Sequence, residues 1–229
     1  MIKNPVYEVS ILPENGGIIG SFKIDGKEII HFRSEERGSG FFRDLFWQPT
    51  EARWTGEEDA NYEFKGWEFE NKNLVLKFER KLKFEKLKGL VIKKNYVLNH
   101  ESYEIKVEYT IENLTENKLS FSFWCHSQPV LSSKDAEISI PLLDKNLVLN
   151  KDTAKEYDYF IPVKDVFSNE IEYSLSKLVN GKLKFVFEKE KTDKVYIWFG
   201  KIPTVEFIYN EVELNPKKSW QTEVNIKVF

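Results

Sequence analysis

The segment YEIKVEYTIENLTENKLSFSFWCHSQPVL, residues 103–131, decides the fold class of this chain. In its first part, apolar side chains at every second position alternate with charged or polar ones from Glu104 to Glu112. Successive side chains of a β-strand point to opposite faces, so this pattern predicts a strand with one buried and one wet face. The polar turn ENLTENK then leads into LSFSFWCHS, residues 119–127, which alternates in the same way. The segment therefore predicts two successive strands joined by a turn.

Similar alternation recurs along most of the chain. Asp25-Gly26, between two apolar runs, is the strongest short hairpin signal. Helical periodicity is weak: only EIEYSLSKLVNG, residues 170–181, predicts a short helix, ended by Asn180-Gly181. Residues 34–61 and 141–170 are expected to be irregular. We therefore predict an all-β protein, a single domain over residues 1–229 that forms a large antiparallel β-sandwich.

The composition excludes several classes of protein. The 34 basic and 37 acidic residues nearly cancel to a net charge of −3, which gives no electrostatic reason to expect nucleic acid or an anionic membrane as a partner. The single cysteine excludes an internal disulfide and a zinc site built from cysteines. Composition leaves the oligomeric state open.

Location is an expectation from sequence alone. The first ten residues, MIKNPVYEVS, lack the apolar core of a signal peptide, and no stretch approaches 18 consecutive apolar residues. We therefore expect a cytoplasmic protein. Lysine greatly outnumbers arginine, 29 to 5, among many acidic residues, a composition that fits a thermophile's intracellular protein.

Residues 119–127 carry two different faces. Phe121, Phe123 and Cys125 share one, which is expected to be core. Trp124 and His126 share the other with two serines. Indole rings stack on the apolar faces of sugars, and polar groups bind their hydroxyls, so this face is typical of a carbohydrate groove. The alternative is an exposed sheet face on which the histidine has no role.

The order of segments resembles the galactose mutarotase-like superfamily, which includes the aldose 1-epimerases. The matching stretches are ILPENGGIIGSFKIDGKEII at the start, the segment 103–131 in the middle and VELNPKKSWQTEVNIKV at the end. In the last of these, Lys217 stands where the family usually has glycine. The resemblance implies a large antiparallel supersandwich that acts on or binds a small-molecule carbohydrate.

The resemblance also implies a chemistry. In mutarotases a carboxylate takes the proton of the anomeric hydroxyl while a histidine protonates the ring oxygen, so that the ring opens and recloses without metal or cofactor. His126 matches the position of the acid. Glu206, on a strand before the final turn, matches the base, with Glu211 as a second choice. The family's earlier H-G-x-x-R stretch is missing, because the corresponding EEDANYEFKGWEFE has neither histidine nor arginine.

The stretch GSGFFRDLFWQPTEARW, residues 38–54, adds candidate ligand contacts. Arg43 and Asp44 are expected to hydrogen-bond sugar hydroxyls or an anionic group, and Trp47 or Trp54 to stack on a sugar. The alternative is an Arg–Asp pair that ties a loop over an aromatic core. For the whole chain, the function hypotheses are an aldose mutarotase, a non-catalytic sugar-binding module, and a structural domain related to accessory sandwiches of glycoside-processing enzymes.

Overall fold

The computed structural model describes residues 1–34, 36, 39–179 and 181–229, and in these ranges the chain forms two antiparallel sheets. Sheet 1 contains β1 (Ile2–Lys3), β2 (Tyr7–Leu12), β3 (Ile18–Ile24), β4 (Lys27–Glu28), β5 (Phe41–Gln48), β6 (Arg53–Trp54), β11 (Leu119–Ser127), β14 (Asp158–Pro162), β17 (Thr192–Trp198), β18 (Thr204–Tyr209) and β19 (Val212–Leu214). Sheet 2 contains β7 (Glu63–Glu70), β8 (Asn73–Lys81), β9 (Leu90–Asn99), β10 (Glu104–Asn113), β12 (Ile138–Pro141), β13 (Asn146–Leu149), β15 (Glu170–Ser174), β16 (Lys182–Phe187) and β20 (Ser219–Val228). Short 3-10 turns occupy Pro13–Asn15, Glu85–Leu87 and Val163–Asp165.

The two sheets pack face to face, which confirms the predicted all-β antiparallel sandwich. The main path of sheet 1 runs β1-β2-β3-β5-β11-β18-β17-β14, and that of sheet 2 runs β13-β12-β15-β16-β20-β10-β9-β8-β7. The strand β11, with the motif FWCHS, therefore lies inside sheet 1 between β5 and β18. Within the described ranges, no helix has the length and apolar composition needed to cross a membrane.

Alternation along the strands builds the core as predicted. On β11, Phe121, Phe123 and Cys125 are fully buried between the sheets. The Asp25-Gly26 hairpin is also confirmed, because both residues have positive φ, 51° and 74°, as a two-residue type I′ turn requires. Lys217, at the family's glycine position, likewise has a φ of 58°, so the chain keeps the left-handed turn without glycine.

The predicted helix over residues 170–181 is wrong. Glu170–Ser174 forms the strand β15, and a turn follows it. Ile171 and Tyr173 are buried on one face, whereas Glu170 and Glu172 form ion pairs with lysines of β16 on the other. In this segment the alternation of buried and exposed side chains therefore decided the structure, and the helix propensity of its residues did not. Asn180, which was expected to end the helix, lies outside the described residues.

The regions expected to be irregular contain strands that the sequence did not reveal. Residues 141–170 include β13 and β14, and residues 34–61 include β5, which pairs with β11 along most of its length. On β5 the register shifts at Phe42, which has a φ of 59° and is the extra residue of a β-bulge. Both Phe41 and Phe42 are buried, and this break in alternation hid the strand. Gly38, at the start of that motif, lies outside the described residues.

A buried cluster of charges joins the two sheets. Asp44, on the inner face of β5, accepts hydrogen bonds from Lys94 Nζ at 2.9 Å and Arg80 Nη2 at 2.6 Å. Lys94 is on β9 and Arg80 on β8, both in sheet 2, and all three side chains are at most 2% exposed. The Tyr62 hydroxyl donates a further hydrogen bond to Asp44 at 3.0 Å. Every charge in this cluster has an opposite partner, as burial requires.

The Asp44→Asn substitution should destabilise the fold strongly, because it leaves Lys94 buried without a counter-charge and Arg80 with only the more distant Glu57, at 3.8 Å. Removing one partner of a buried ion pair costs about 3–5 kcal/mol of unfolding free energy. Urea titration followed by circular dichroism measures that change. Glu213→Gln, which removes the surface pair with Lys118, is the matched control and should cost less than about 1 kcal/mol. Equal effects of the two substitutions would contradict the role given to the cluster.

The same cluster predicts a loss of stability in acid. Burial raises the pKa of Asp44, but Lys94 and Arg80 together outweigh burial and hold the pKa below its usual value. A lowered folded-state pKa stabilises the fold above the unfolded-state pKa of about 3.9, and this contribution disappears as pH falls through the folded-state value. Unfolding free energies measured between pH 6 and pH 2 should therefore fall more steeply for the parent protein than for Asp44→Asn.

Candidate functional site

The register of β11 and β18 brings the two predicted catalytic residues together. His126 lies directly opposite Glu206, and Trp124 lies opposite Ile208. All four side chains are on the outer face of sheet 1, since Cys125 and Phe207 between them face the core. His126 Nδ1 and Glu206 Oε1 are 2.8 Å apart, and each side chain is 8% exposed. The predicted faces of both strands thus agree with the structure.

The contact between His126 and Glu206 conflicts with the acid and base roles that mutarotation requires. A mutarotase needs its acid and base on opposite sides of a sugar ring, whereas these two groups touch each other. The Thr204 hydroxyl lies 3.4 Å from the same Glu206 oxygen. His126 and Glu206 therefore form a hydrogen-bonded pair at the floor of the sheet face, and no ring fits between them in this conformation.

A cleft of about 490 Å³ opens beside the pair on the same face. Three tryptophans line it, Trp47, Trp54 and Trp124. The ring centroids of Trp47 and Trp54 are 5.2 Å apart and those of Trp54 and Trp124 4.7 Å apart, both in edge-to-face contact. β6 positions Trp54 by pairing with β5, where Trp47 faces Trp54. We call these three residues and the space between them the tryptophan cleft.

An aromatic contact separates the tryptophan cleft from the His126–Glu206 pair. The cleft ends at Trp124 and Ile208, which are two residues along their strands from the pair, or about 7 Å. The ring of Trp124 touches that of Tyr196 on β17, with centroids 6.2 Å apart. Tyr196 lies opposite Glu206, so this contact crosses β18 between Ile208 and Glu206. A ligand in the cleft therefore lies beside the pair and not between its members.

Arg43 is held by a loop and does not line the tryptophan cleft. It lies opposite His126 on the outer face of sheet 1, but it is 2% exposed. Its guanidinium donates to the Ser39 carbonyl at 2.9 Å and forms an ion pair with Asp59. The segment 55–62 thus covers Arg43. The predicted contact between Arg43 and a sugar requires that segment to move.

Asp44 lies on the wrong face for the predicted contact with a sugar. Its neighbour across the strand pair is Cys125, so its carboxylate enters the core and is fully buried. The alternative prediction was an Arg–Asp pair between Arg43 and Asp44. Both residues do form ion pairs, but with other partners: Asp44 pairs with Arg80, and Arg43 with Asp59. Cys125 is equally remote from a ligand, and burial raises the pKa of its thiol to about 12.

Sequence reasoning missed Tyr196 and Lys194 on β17. Both point to the same outer face, since they lie opposite Glu206 and Ile208. The alternation within KVYIWFG, residues 194–200, already placed them on one face, and only the strand order was needed to bring that face to the site. The Tyr196 hydroxyl donates to Asp158 at 2.5 Å, and burial followed by this bond raises the pKa of Tyr196. Glu211, the second candidate base, lines the tryptophan cleft and is exposed.

Comparison with known families agrees with this architecture. A family model described as the YidC periplasmic domain matches residues 2–170 of the 229. The chain belongs to this family. A search of curated proteins found no match. The family's name refers to the periplasm, whereas the sequence predicted the cytoplasm, so both compartments stay open for this YidC periplasmic domain family member.

Solved structures show the same fold. A galactose mutarotase-like protein from Clostridium acetobutylicum matches with a TM-score of 0.72 and 12% identity, covering 100% of this chain and 94% of that one. One from Lactobacillus casei matches with a TM-score of 0.71 and 12% identity over 100% and 99% of the chains. A putative aldose 1-epimerase from Escherichia coli K12 matches with a TM-score of 0.65 and 10% identity over 100% and 97%. The chain thus has the galactose mutarotase-like fold.

The Arg43→Met substitution should loosen the segment that follows Trp54. Asp59 and the Ser39 carbonyl then lose their donor, so the amides of residues 55–62 should exchange faster with solvent deuterium. Hydrogen-exchange mass spectrometry measures this. Arg53→Met is the matched control on the same hairpin, because Arg53 makes an exposed ion pair with Glu51. Unchanged exchange in Arg43→Met would show that other contacts hold the segment.

Proposed function

We propose that the protein binds a small carbohydrate in the tryptophan cleft without catalysing a reaction on it. The observation that carries the proposal is the meeting of Trp47, Trp54 and Trp124 on one open sheet face, although they come from three different strands. Trp54 is 40% exposed, so indole surface is available to a ligand. Apolar C–H faces of sugars pack well against indole rings.

Polar groups around the tryptophan cleft supply partners for sugar hydroxyls. Ser122 and Glu211 line it, together with Asp193 and Lys194, which form an ion pair at 3.0 Å. Hydroxyl, carboxylate and ammonium groups include both donors and acceptors, as recognition of hydroxyls requires. A largely apolar cleft with a few polar groups is typical of a small-molecule site.

Mutarotation is the second candidate function. It is favoured by the adjacency of His126 and Glu206 on the face that carries the tryptophan cleft. In this reaction Glu206 takes the proton of the anomeric hydroxyl and His126 protonates the ring oxygen, after which the open aldehyde recloses on either face. The 2.8 Å contact between the two side chains favours binding over catalysis, because that contact must first open to admit a ring.

The comparisons are compatible with both candidates. Two of the similar structures are named galactose mutarotase-like and one a putative aldose 1-epimerase. At identities of 10–12%, these structural likenesses show the fold alone. The choice between binding and catalysis therefore depends on the site itself.

Binding is tested with a panel of free hexoses and pentoses, using saturation-transfer NMR and tryptophan fluorescence. At least one sugar should bind, and Trp54→Ala or Trp124→Ala should weaken its binding about three- to tenfold, through the loss of one aromatic contact. Trp67→Ala is the matched control, since Trp67 is 63% exposed on β7 of sheet 2. The absence of binding by any sugar, free or as a short oligomer, or equal loss in all three variants, would refute the proposal.

Catalysis is tested separately by NMR exchange between the anomers of each sugar. For a binding protein, the rate of exchange between anomers should equal that in buffer at every protein concentration. A rate that rises with protein concentration, and falls to the buffer value in both His126→Ala and Glu206→Ala, would instead establish the second candidate.

A further inference from the structure

The structure assigns the site to a linear, neutral oligosaccharide rather than a single sugar, an inference that rests on the proposed carbohydrate binding. The observation is a continuous series of ring contacts across the outer face of sheet 1. We call it the aromatic row, and its members in order are Trp47, Trp54, Trp124, Tyr196 and Phe160.

The aromatic row extends well beyond the tryptophan cleft. Beyond Trp124 it continues to Tyr196 at 6.2 Å and from there to Phe160 on β14, whose ring stacks on Tyr196 with centroids 4.5 Å apart. The strands from β5 to β14 are separated by four inter-strand steps of about 4.8 Å, or roughly 19 Å in all. A single pyranose ring covers only part of this length, whereas several linked units would contact the whole row.

Both ends of the aromatic row are open. At one end Trp47 is partly exposed and its neighbour Trp54 is 40% exposed, and at the other end Phe160 is 54% exposed. Among the described residues, β14 is the last strand on its side of sheet 1, so a ligand that passes Phe160 meets no further described strand of that sheet. A pocket for a free sugar would close around it. This open geometry instead suits an internal stretch of a chain whose ends continue into solvent.

The charges beside the aromatic row favour a neutral ligand. Asp193 forms an ion pair with Lys194, and Asp158 accepts the hydrogen bond from the Tyr196 hydroxyl. Glu211 lines the tryptophan cleft. Among the described residues that line the tryptophan cleft, the acids Asp193 and Glu211 outnumber the single lysine, Lys194, which disfavours uronic-acid chains.

The test compares each monosaccharide with its linear oligomers. Glucose, mannose and xylose, and their gluco-, manno- and xylo-oligosaccharides of two to six units, are titrated against the protein and followed by tryptophan fluorescence and calorimetry. In one series, affinity should rise with chain length until the oligomer spans the aromatic row. Phe160→Ala should weaken binding of the hexamer about three- to tenfold and leave binding of the monosaccharide unchanged.

Longer oligomers also gain affinity because they offer more ways to occupy a single subsite. The Phe160→Ala variant distinguishes this statistical gain from additional contacts with the aromatic row. Phe69→Ala is the control for a lost surface phenylalanine, since Phe69 is 62% exposed on β7 of sheet 2. A monosaccharide that binds as tightly as its hexamer, or a hexamer insensitive to Phe160→Ala, would overturn the oligosaccharide inference and leave the proposed function intact. If no sugar of any length binds, the proposed function fails as well.

Discussion

The buried contact between Asp44 and the two cations of sheet 2 underlies the rest of this structure. Lys94 and Arg80 reach it from β9 and β8, so one carboxylate links both sheets across the core. Lys94 Nζ also donates to the Phe42 carbonyl at 2.5 Å, which accepts a second hydrogen bond from the Tyr109 hydroxyl. Charges in an apolar interior must be matched in position as well as sign, so this cluster constrains how the two sheets meet.

The candidate site depends on this constraint through the bulge at Phe42. Because the extra residue changes the alternation of β5, Phe41 points into the core while Arg43, two residues later, points outward beside His126. Bulges commonly redirect side chains next to functional sites. Arg43 in turn holds the segment that follows Trp54, and so the core cluster and the aromatic face are linked through a single strand.

Alternation revealed which side of a strand each residue occupies, and this was sufficient for much of the site. It placed Trp124 with His126 and Glu206 with Ile208 on outward faces, as the structure has them. It also contained a signal that was overlooked: Arg80 and Lys94 occupy inward positions among Leu76, Phe78, Ile92 and Tyr96, where a charge demands a buried partner. Alternation failed for β5, since one bulged residue is enough to exchange the two faces.

The sequence by itself determined the fold class, the strands with a regular period of two and the side of the sheet on which Trp124, His126 and Glu206 lie. These follow from local geometry, because side-chain direction in a strand depends only on position along it. The tertiary structure alone decided which strands are neighbours. Strand order brought Glu206 into contact with His126 and joined five aromatic rings from β5, β6, β11, β17 and β14 in a series of contacts. Packing of the two sheets brought Asp44 to Lys94 and Arg80. Pairing between strands distant in sequence is set by the packing of the whole core, and no local pattern encodes it.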